Sequence, residues 1–405
     1  MKPSPHAIWF ILTTILIDTI GFGIILPVAP DLIMEVGRVG LAEATRISGW
    51  LLVVYALLQF VCGPLMGALS DRLGRRPVLL ASLACFAVDY LFMALAPDLA
   101  WLFVGRAVAG MAGAVYAPAN AWIADVTPPE DRAAKYGLVG AAFGIGFILG
   151  PAIGGLVGEL GPRAPFYAAA AIAALNFVYG WFVLPESLPP ERRRKFEWSR
   201  ANPLGTLKAL GAFPTILPMF AVLALWDLAH HVYPTTWSFF AKAQFEWAPW
   251  QIGLSLAYAG VTMAVVQGWL TGKIVPKIGE ARALSIGIVV GAGHFLALAF
   301  ANQGWMIYAI MTIGALDGLI FPAISALLSR AAPDDQQGEL QGGIAAIHAL
   351  TAIIGPWMMS ETFARFTERT GEPPFFPGAA FVLATVLSLM ALAVLRLRAR
   401  QALAT

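Results

Sequence analysis

Gly67-Ala68-Leu69-Ser70-Asp71-Arg72-Leu73-Gly74-Arg75-Arg76 separates two long apolar runs, and six of its ten positions are charged or glycine. A central Arg or Asp in hydrocarbon costs about 2.5 to 3.5 kcal/mol even on the mild insertion scale. The stretch therefore reads as a tight turn at a membrane surface, joining two spans. Gly67 and Gly74 permit close backbone approach and positive φ. Asp71 is placed to cap or pair, and Arg72, Arg75 and Arg76 set the side of the membrane as cytoplasmic.

The rest of the chain agrees with that reading. Its 405 residues are 59% hydrophobic, with a mean hydropathy of +0.74, against about 45 to 50% apolar for a soluble domain. The net charge of +2 is spread over loops, which excludes a nucleic-acid partner. The two cysteines, Cys62 and Cys85, lie within apolar runs and form neither a disulfide framework nor a metal spacing. No cofactor motif is present. The first apolar run is too long for a signal-peptide core and reads as an uncleaved first span.

A spanning helix needs about 17 to 25 mainly apolar residues. That window places twelve spans near 8–32, 46–69, 77–97, 100–123, 135–158, 165–184, 212–240, 250–272, 282–301, 304–328, 338–363 and 375–396. With both termini cytoplasmic, 19 basic residues fall inside, six outside (Arg38, Arg46, Arg163, Lys242, Arg365, Arg369) and one, Arg106, within a span. The bias satisfies the positive-inside rule. The expected fold class is all-α, with two six-helix halves at 1–187 and 212–405 joined by a charged cytoplasmic linker at 188–211.

Internal repetition supports the two halves. Gly268-x-x-x-Gly272-Lys273, followed by Lys277, Gly279, Glu280 and Arg282, echoes the opening stretch 201 residues earlier. Gly137 with Gly150-Pro151 recurs as Gly342 with Gly355-Pro356. Parallel repeats are an arrangement of transporters that rock about a midplane site.

Three motifs carry a family resemblance. The opening stretch resembles the G-x-x-x-D-R-x-G-R-R loop of the major facilitator superfamily. Gly137, Gly146, Gly150-Pro151 and Gly154-Gly155 resemble the span-five signature of its proton-driven drug antiporters. Leu16-Ile17-Asp18-Thr19-Ile20-Gly21-Phe22-Gly23, Tyr55-Ala56-Leu57-Leu58-Gln59, Asp89-Tyr90 and Gly105-Arg106 are similar to tetracycline efflux proteins. The second half departs: Met263 stands where those exporters carry a His, Gly291 where they carry an acid, and span seven adds Asp227, His230 and His231.

Ionisable groups inside spans are functional candidates because burial penalises them. Asp18 and Asp89 are candidate proton carriers; the bland reading for each is a static hydrogen bond. The resemblance assigns Arg106 to proton coupling, while its structural reading is a helix tie. Asp125 is a candidate gate partner for the Arg72, Arg75 and Arg76 loop. Asp227 and His231, four apart on one helical face, with His230 beside them, suit a substrate anchor or second proton site. A metal site has weaker support. His294, Asp317 and His348 read as lone groups in spans nine, ten and eleven, each with a bland explanation, which for His348 is a hydrogen bond across helices. Gln59 and Gln267 occupy matching places in the halves and either orient a polar substrate or tie helices. Gly146, Gly150, Pro151, Gly154 and Gly155 read as a hinge or sealing face.

The function these features imply is proton-coupled export of an amphipathic organic compound by alternating access. The expected partners are a small-molecule substrate, protons and the lipid bilayer, and the protein is expected to be a monomer. The rival readings are a proton symporter importing a sugar or metabolite, and a membrane enzyme or sensor.

Overall fold

A computed structural model describes residues 5–113, 116–194, 216–333, 336–368 and 374–399. Within them every regular element is helical, and a helix pairs its own backbone groups, as hydrocarbon requires. The first half contains α1 (Pro5–Ile25), α2 (Ala29–Gly37), α3 (Leu41–Leu73), α4 (Arg75–Leu95), α5 (Leu99–Ala112), α6 (Tyr116–Val126), α7 (Pro129–Gly158) and α8 (Ala164–Val183). The second contains α9 (Leu217–His230), α10 (Val232–Phe245), α11 (Pro249–Val265), α12 (Thr271–Ile278), α13 (Glu280–Ala299), α14 (Gly304–Gly314), α15 (Ile320–Ala331), α16 (Gln337–Thr367) and α17 (Ala379–Val394).

Nine helical stretches among the described residues are long and apolar enough to cross a membrane, and a bent pair makes ten. The other two expected spans, four and seven, are each built from consecutive shorter helices, α5 with α6 and α9 with α10. The helices are therefore consistent with twelve spans. Most of the expected linker, 195–211, and the first residues of span seven, 212–215, lie outside the described residues.

Several spans differ from the regular helices expected of them. Span one bends by 55° between Ile25 and Ala29, because Pro27 and Pro30 each remove a backbone donor. Span seven breaks at His231. Span ten tightens to a 3₁₀ turn at Ala315–Leu319, and span eight widens to a π turn at Val266–Leu270. Irregular turns of this kind often mark functional sites, and here they hold His231, Asp317 and Gln267.

The opening stretch is also more helical than a ten-residue turn. α3 continues through Ser70, Asp71 and Arg72 to Leu73, and α4 begins at Arg75. Gly74 alone makes the corner, at φ 109°, which a side chain would strain. A side chain on Gly67 would meet nothing within 4 Å, so the close approach expected there is not made by the described residues.

Two compact units form. One is drawn from Met1–Arg38, Val54–Pro203 and Ala248–Ala257, the other from Val39–Val53, Leu204–Trp247 and Tyr258–Thr405, each taken at its described residues. In the first, α1 packs on α7 and α8, and α4 on α8. In the second, α9 packs on α16 and α17, and α13 on α17. These pairings repeat one another span for span. A core around Phe220, Leu223, Leu284, Ile324, Leu340 and Leu392 fills the second unit. Large apolar side chains such as Phe182, Leu175, Trp305 and Ile313 stay exposed, as a lipid-facing surface requires.

Candidate transport site

In the first unit Asp89, on α4, is 1% exposed and pairs with Arg106 of α5. Oδ1 of Asp89 and Nε of Arg106 are buried with no hydrogen-bond partner among the described residues, so the pair is only partly satisfied. Gly105 makes room for it: a Cβ there would lie 2.7 Å from Asp89 Oδ1. The Arg106 guanidinium sits 5.8 Å over the Tyr55 ring, a cation–π contact.

Tyr90, next to Asp89, is buried against Gly21, whose added Cβ would come within 3.2 Å of the ring. It lies within electrostatic reach of Asp18, Asp89, Arg106 and Tyr55. The three groups expected to couple protons thus gather around one tyrosine. Gln59 donates to the Gly113 carbonyl at 3.1 Å and lies 3.4 Å from the Tyr55 hydroxyl. Its amide ties span two to span four.

At the end of α3, Arg75 pairs with Asp71 at 2.6 Å and with Asp125 at 3.3 Å. Its backbone N–H donates to Glu186 Oε1 at 2.8 Å, and that of Arg76 to Oε2 at 3.3 Å. Glu186 therefore caps the start of α4, where a carboxylate also complements the helix dipole. Sequence reasoning missed it, because Glu186 follows Pro185 in a stretch that resembles a plain linker. Arg76 bonds the Trp181 carbonyl at 2.7 Å, and Arg72 is exposed.

The second half repeats this corner with the charges reversed. Gly279 turns at φ 81°, Glu280 follows it, and Glu280 pairs with Arg330 at 2.6 Å. Gly279, Glu280 and Arg330 each stand 205 residues beyond Gly74, Arg75 and Asp125.

The span-five glycines split between two neighbours. Gly146, Gly150 and Gly154 press on the α1 backbone at Leu16, Ile20 and Ile24, while Gly155 meets Pro249 and Trp250 at the start of α11. The Pro151 carbonyl lies over Gly253. These are close helix contacts that only glycine allows.

In the second unit the groups that read as lone along the sequence have partners on other helices. Asp227 bonds His348 Nδ1 at 2.9 Å and also Thr351, not its helical neighbour His231, whose ring instead fills the space over Gly355. His230 Nε2 bonds Asp317 Oδ2 at 3.2 Å. His294 meets the Tyr233 hydroxyl and the Ile310 carbonyl. These partners are remote in sequence, so spacing along one helix could not reveal them. Asp317 lies over Gly291, where an added Cβ would be 3.4 Å from Asp317 Cβ. An added Cβ on Gly318 would collide with the Met263 sulfur, so the two departures from the tetracycline pattern border adjacent residues of span ten, Asp317 and Gly318. Gln267 is exposed on the π turn. Among the described residues no three His, Cys, Asp or Glu side chains form a group that could hold a metal ion.

An all-helical membrane protein with buried charges on several spans defines a transporter class. The model of the Major Facilitator Superfamily matches residues 10–356, and the chain belongs to that family. It is 40% identical to the class C tetracycline resistance protein of Escherichia coli, covering 94% of this chain and 95% of that one. It is 30% identical to multidrug resistance protein 2 of Bacillus subtilis (strain 168), covering 85% and 86%. Among solved structures, an inward-facing, occupied bacterial homologue of the human lysosomal transporter Spinster superposes with a TM-score of 0.77 at 15% identity, covering 99% and 97%. A D-xylose–proton symporter does so with 0.75 at 17%, covering 97% and 98%. The fold is thus shared by a symporter and does not decide the direction of transport.

Proposed function

We propose that the protein exports an amphipathic organic compound, of the tetracycline class or a related drug, in exchange for protons. The observation that carries this is the buried Asp89–Arg106 pair, left with an unpartnered carboxylate oxygen, next in the chain to Tyr90, which lies within electrostatic reach of Asp18. A proton arriving on Asp89 alters the charge felt by Arg106, and one arriving on Asp18 alters the charge felt by Tyr90 beside them. Substrate and proton then compete by favouring different conformations of the same two-state protein.

In this reading the protein sits in a bacterial inner membrane as a monomer, with both termini cytoplasmic and its halves at 1–187 and 212–405. The Arg75, Asp71, Asp125 and Glu186 cluster holds the cytoplasmic ends of spans two, three, four and six in one state and releases them in the other. Asp227, His231, Gln59 and Gln267 contact substrate. The span-five glycines supply a sealing and hinge surface, and no covalent chemistry takes part. The resemblance to tetracycline resistance and multidrug resistance proteins over most of the chain supports export over import.

The test is proton flux in everted membrane vesicles acidified inside. Adding tetracycline is expected to release protons, and Asp18→Asn is expected to abolish the release. Proton movement in the same direction as an imported sugar, with none on adding drug, would replace this reading with symport.

A further inference from the structure

Deepening the proton-exchange reading, on which its transport role rests, we infer that the His230–Asp317 pair, between spans seven and ten, is a second proton-carrying site in the C-terminal half.

The argument is one of hydrogen-bond accounting. A carbonyl oxygen can only accept, so the 2.9 Å contact between His230 Nδ1 and the Trp226 carbonyl fixes a proton on Nδ1. The remaining nitrogen, Nε2, faces Asp317 Oδ2 at 3.2 Å. A carboxylate oxygen and a bare imidazole nitrogen are both acceptors. The contact is a hydrogen bond only if a second proton lies between them, as imidazolium with carboxylate or imidazole with carboxylic acid. The pair in this geometry therefore holds one exchangeable proton. When it leaves, two lone pairs face each other and the tie between span seven and span ten is lost.

The neighbouring histidines do not share this property. His348 donates from Nδ1 to Asp227 at 2.9 Å, which a neutral imidazole can do. His294 donates from Nδ1 to the Ile310 carbonyl and, when neutral, accepts the Tyr233 hydroxyl at Nε2. The surroundings suit a guarded proton. Trp226 packs 4.5 Å from the His230 ring and Phe295 meets it edge-on at 5.2 Å, while Asp317 is 4% exposed.

The titratable groups facing the pair are Asp227 and His231 from span seven, Tyr233 beyond the break, and His294 from span nine. The joint at His231 and the 3₁₀ turn at Ala315–Leu319 let both segments move without unwinding a regular helix.

The test uses the full chain in lipid nanodiscs with ¹⁵N-histidine, since only five histidines occur and single His→Gln variants assign them. The expected result is that both His230 nitrogens report bound protons near neutral pH. In Asp317→Asn, Nε2 is expected to lose its proton while Nδ1 keeps its own, with the His294 and His348 signals in place as evidence of folding. A bare Nε2 in the wild type, or a proton retained there in Asp317→Asn, overturns the proposal, and the wild-type spectrum decides even if the variant fails to fold.

The second arm reads protons moved per tetracycline in proteoliposomes. The expected change in Asp317→Asn is one proton fewer, and an unchanged ratio overturns the transport role. A wild type that moves no protons with tetracycline or with any of a panel of related amphipathic drugs refutes the export reading and leaves the spectroscopic result standing.

Discussion

Substituting Gly150 by alanine is expected to destabilise the first unit, whereas the same change at Gly144, six residues earlier on α7, is not. An alanine Cβ at 150 would lie 2.8 Å from both the Gly23 Cα and the Ile20 carbonyl oxygen. Carbon contacts are comfortable at about 3.5 to 4.0 Å. The neighbours must therefore retreat by roughly 0.7 Å, and both are backbone, so no rotamer change relieves the overlap. Overpacking of this kind costs about 1 to 3 kcal/mol.

At Gly144 an added Cβ meets nothing within 4 Å. There the helix gains about 0.5 to 1 kcal/mol from replacing glycine by alanine. The two variants should thus differ by about 1.5 to 4 kcal/mol, a factor of at least ten in the unfolding equilibrium. The assay is unfolding of the purified protein in mixed micelles by added SDS, followed by circular dichroism. Equal stability of the two variants would refute the packing argument, because the same chemistry at the same helix would then be indifferent to what it touches.

Three further outcomes follow from the geometry. Gly105→Ala places a methyl against Asp89 Oδ1 and forces the Asp89–Arg106 pair apart; breaking a buried pair costs about 3 to 5 kcal/mol, so thermal stability and proton-coupled transport should fall together. Glu186→Gln keeps the shape of the cap but removes its charge beside Arg75, Arg76 and Arg193; faster labelling of a cysteine placed at Ser70, buried in this state, would report the loosened corner, and unchanged labelling would exclude Glu186 from the lock. Arg46 gathers Glu43, Glu361 and Glu368, and its guanidinium holds the Glu368 carboxyl below the usual carboxylate range. A depressed carboxylate contributes stability that is present above its unfolded value, about 4.3, and is lost as pH falls through the lower folded value. Wild type should therefore melt higher than Glu368→Gln at neutral pH, and the difference should vanish below that folded value; a difference that persists in acid would contradict the ion-pair account.

What the sequence made legible was whatever depends on local pattern. Charge and glycine at 67–76 located a membrane corner, and hydropathy located the spans. Glycine spacing in span five marked a packing face. The corner proved narrower than its ten residues suggest, since the i, i+4 pair Asp71 with Arg75 lies on helices that run up to Gly74 from both sides. The breaks in spans seven and ten were missed for another reason: a hydropathy window counts apolar content and does not register the backbone donors removed by Pro234, three residues past His231, and Pro322, five past Asp317. The cross-helix partners were invisible in principle. Asp317 and His230 are 87 residues apart, and nothing at either position specifies the other. Glu186 escaped for the same cause, acting on a helix start 111 residues away.

The central claim is that substrate leaves against entering protons. Purified protein in proteoliposomes, with the lumen acidified and the cytoplasmic face outward, tests it most directly. The account predicts that external tetracycline accumulates inside, that a proton ionophore abolishes the accumulation, and that Asp18→Asn shows none. Accumulation that is indifferent to the ionophore, or that requires an alkaline lumen so that drug and proton move together, would contradict it.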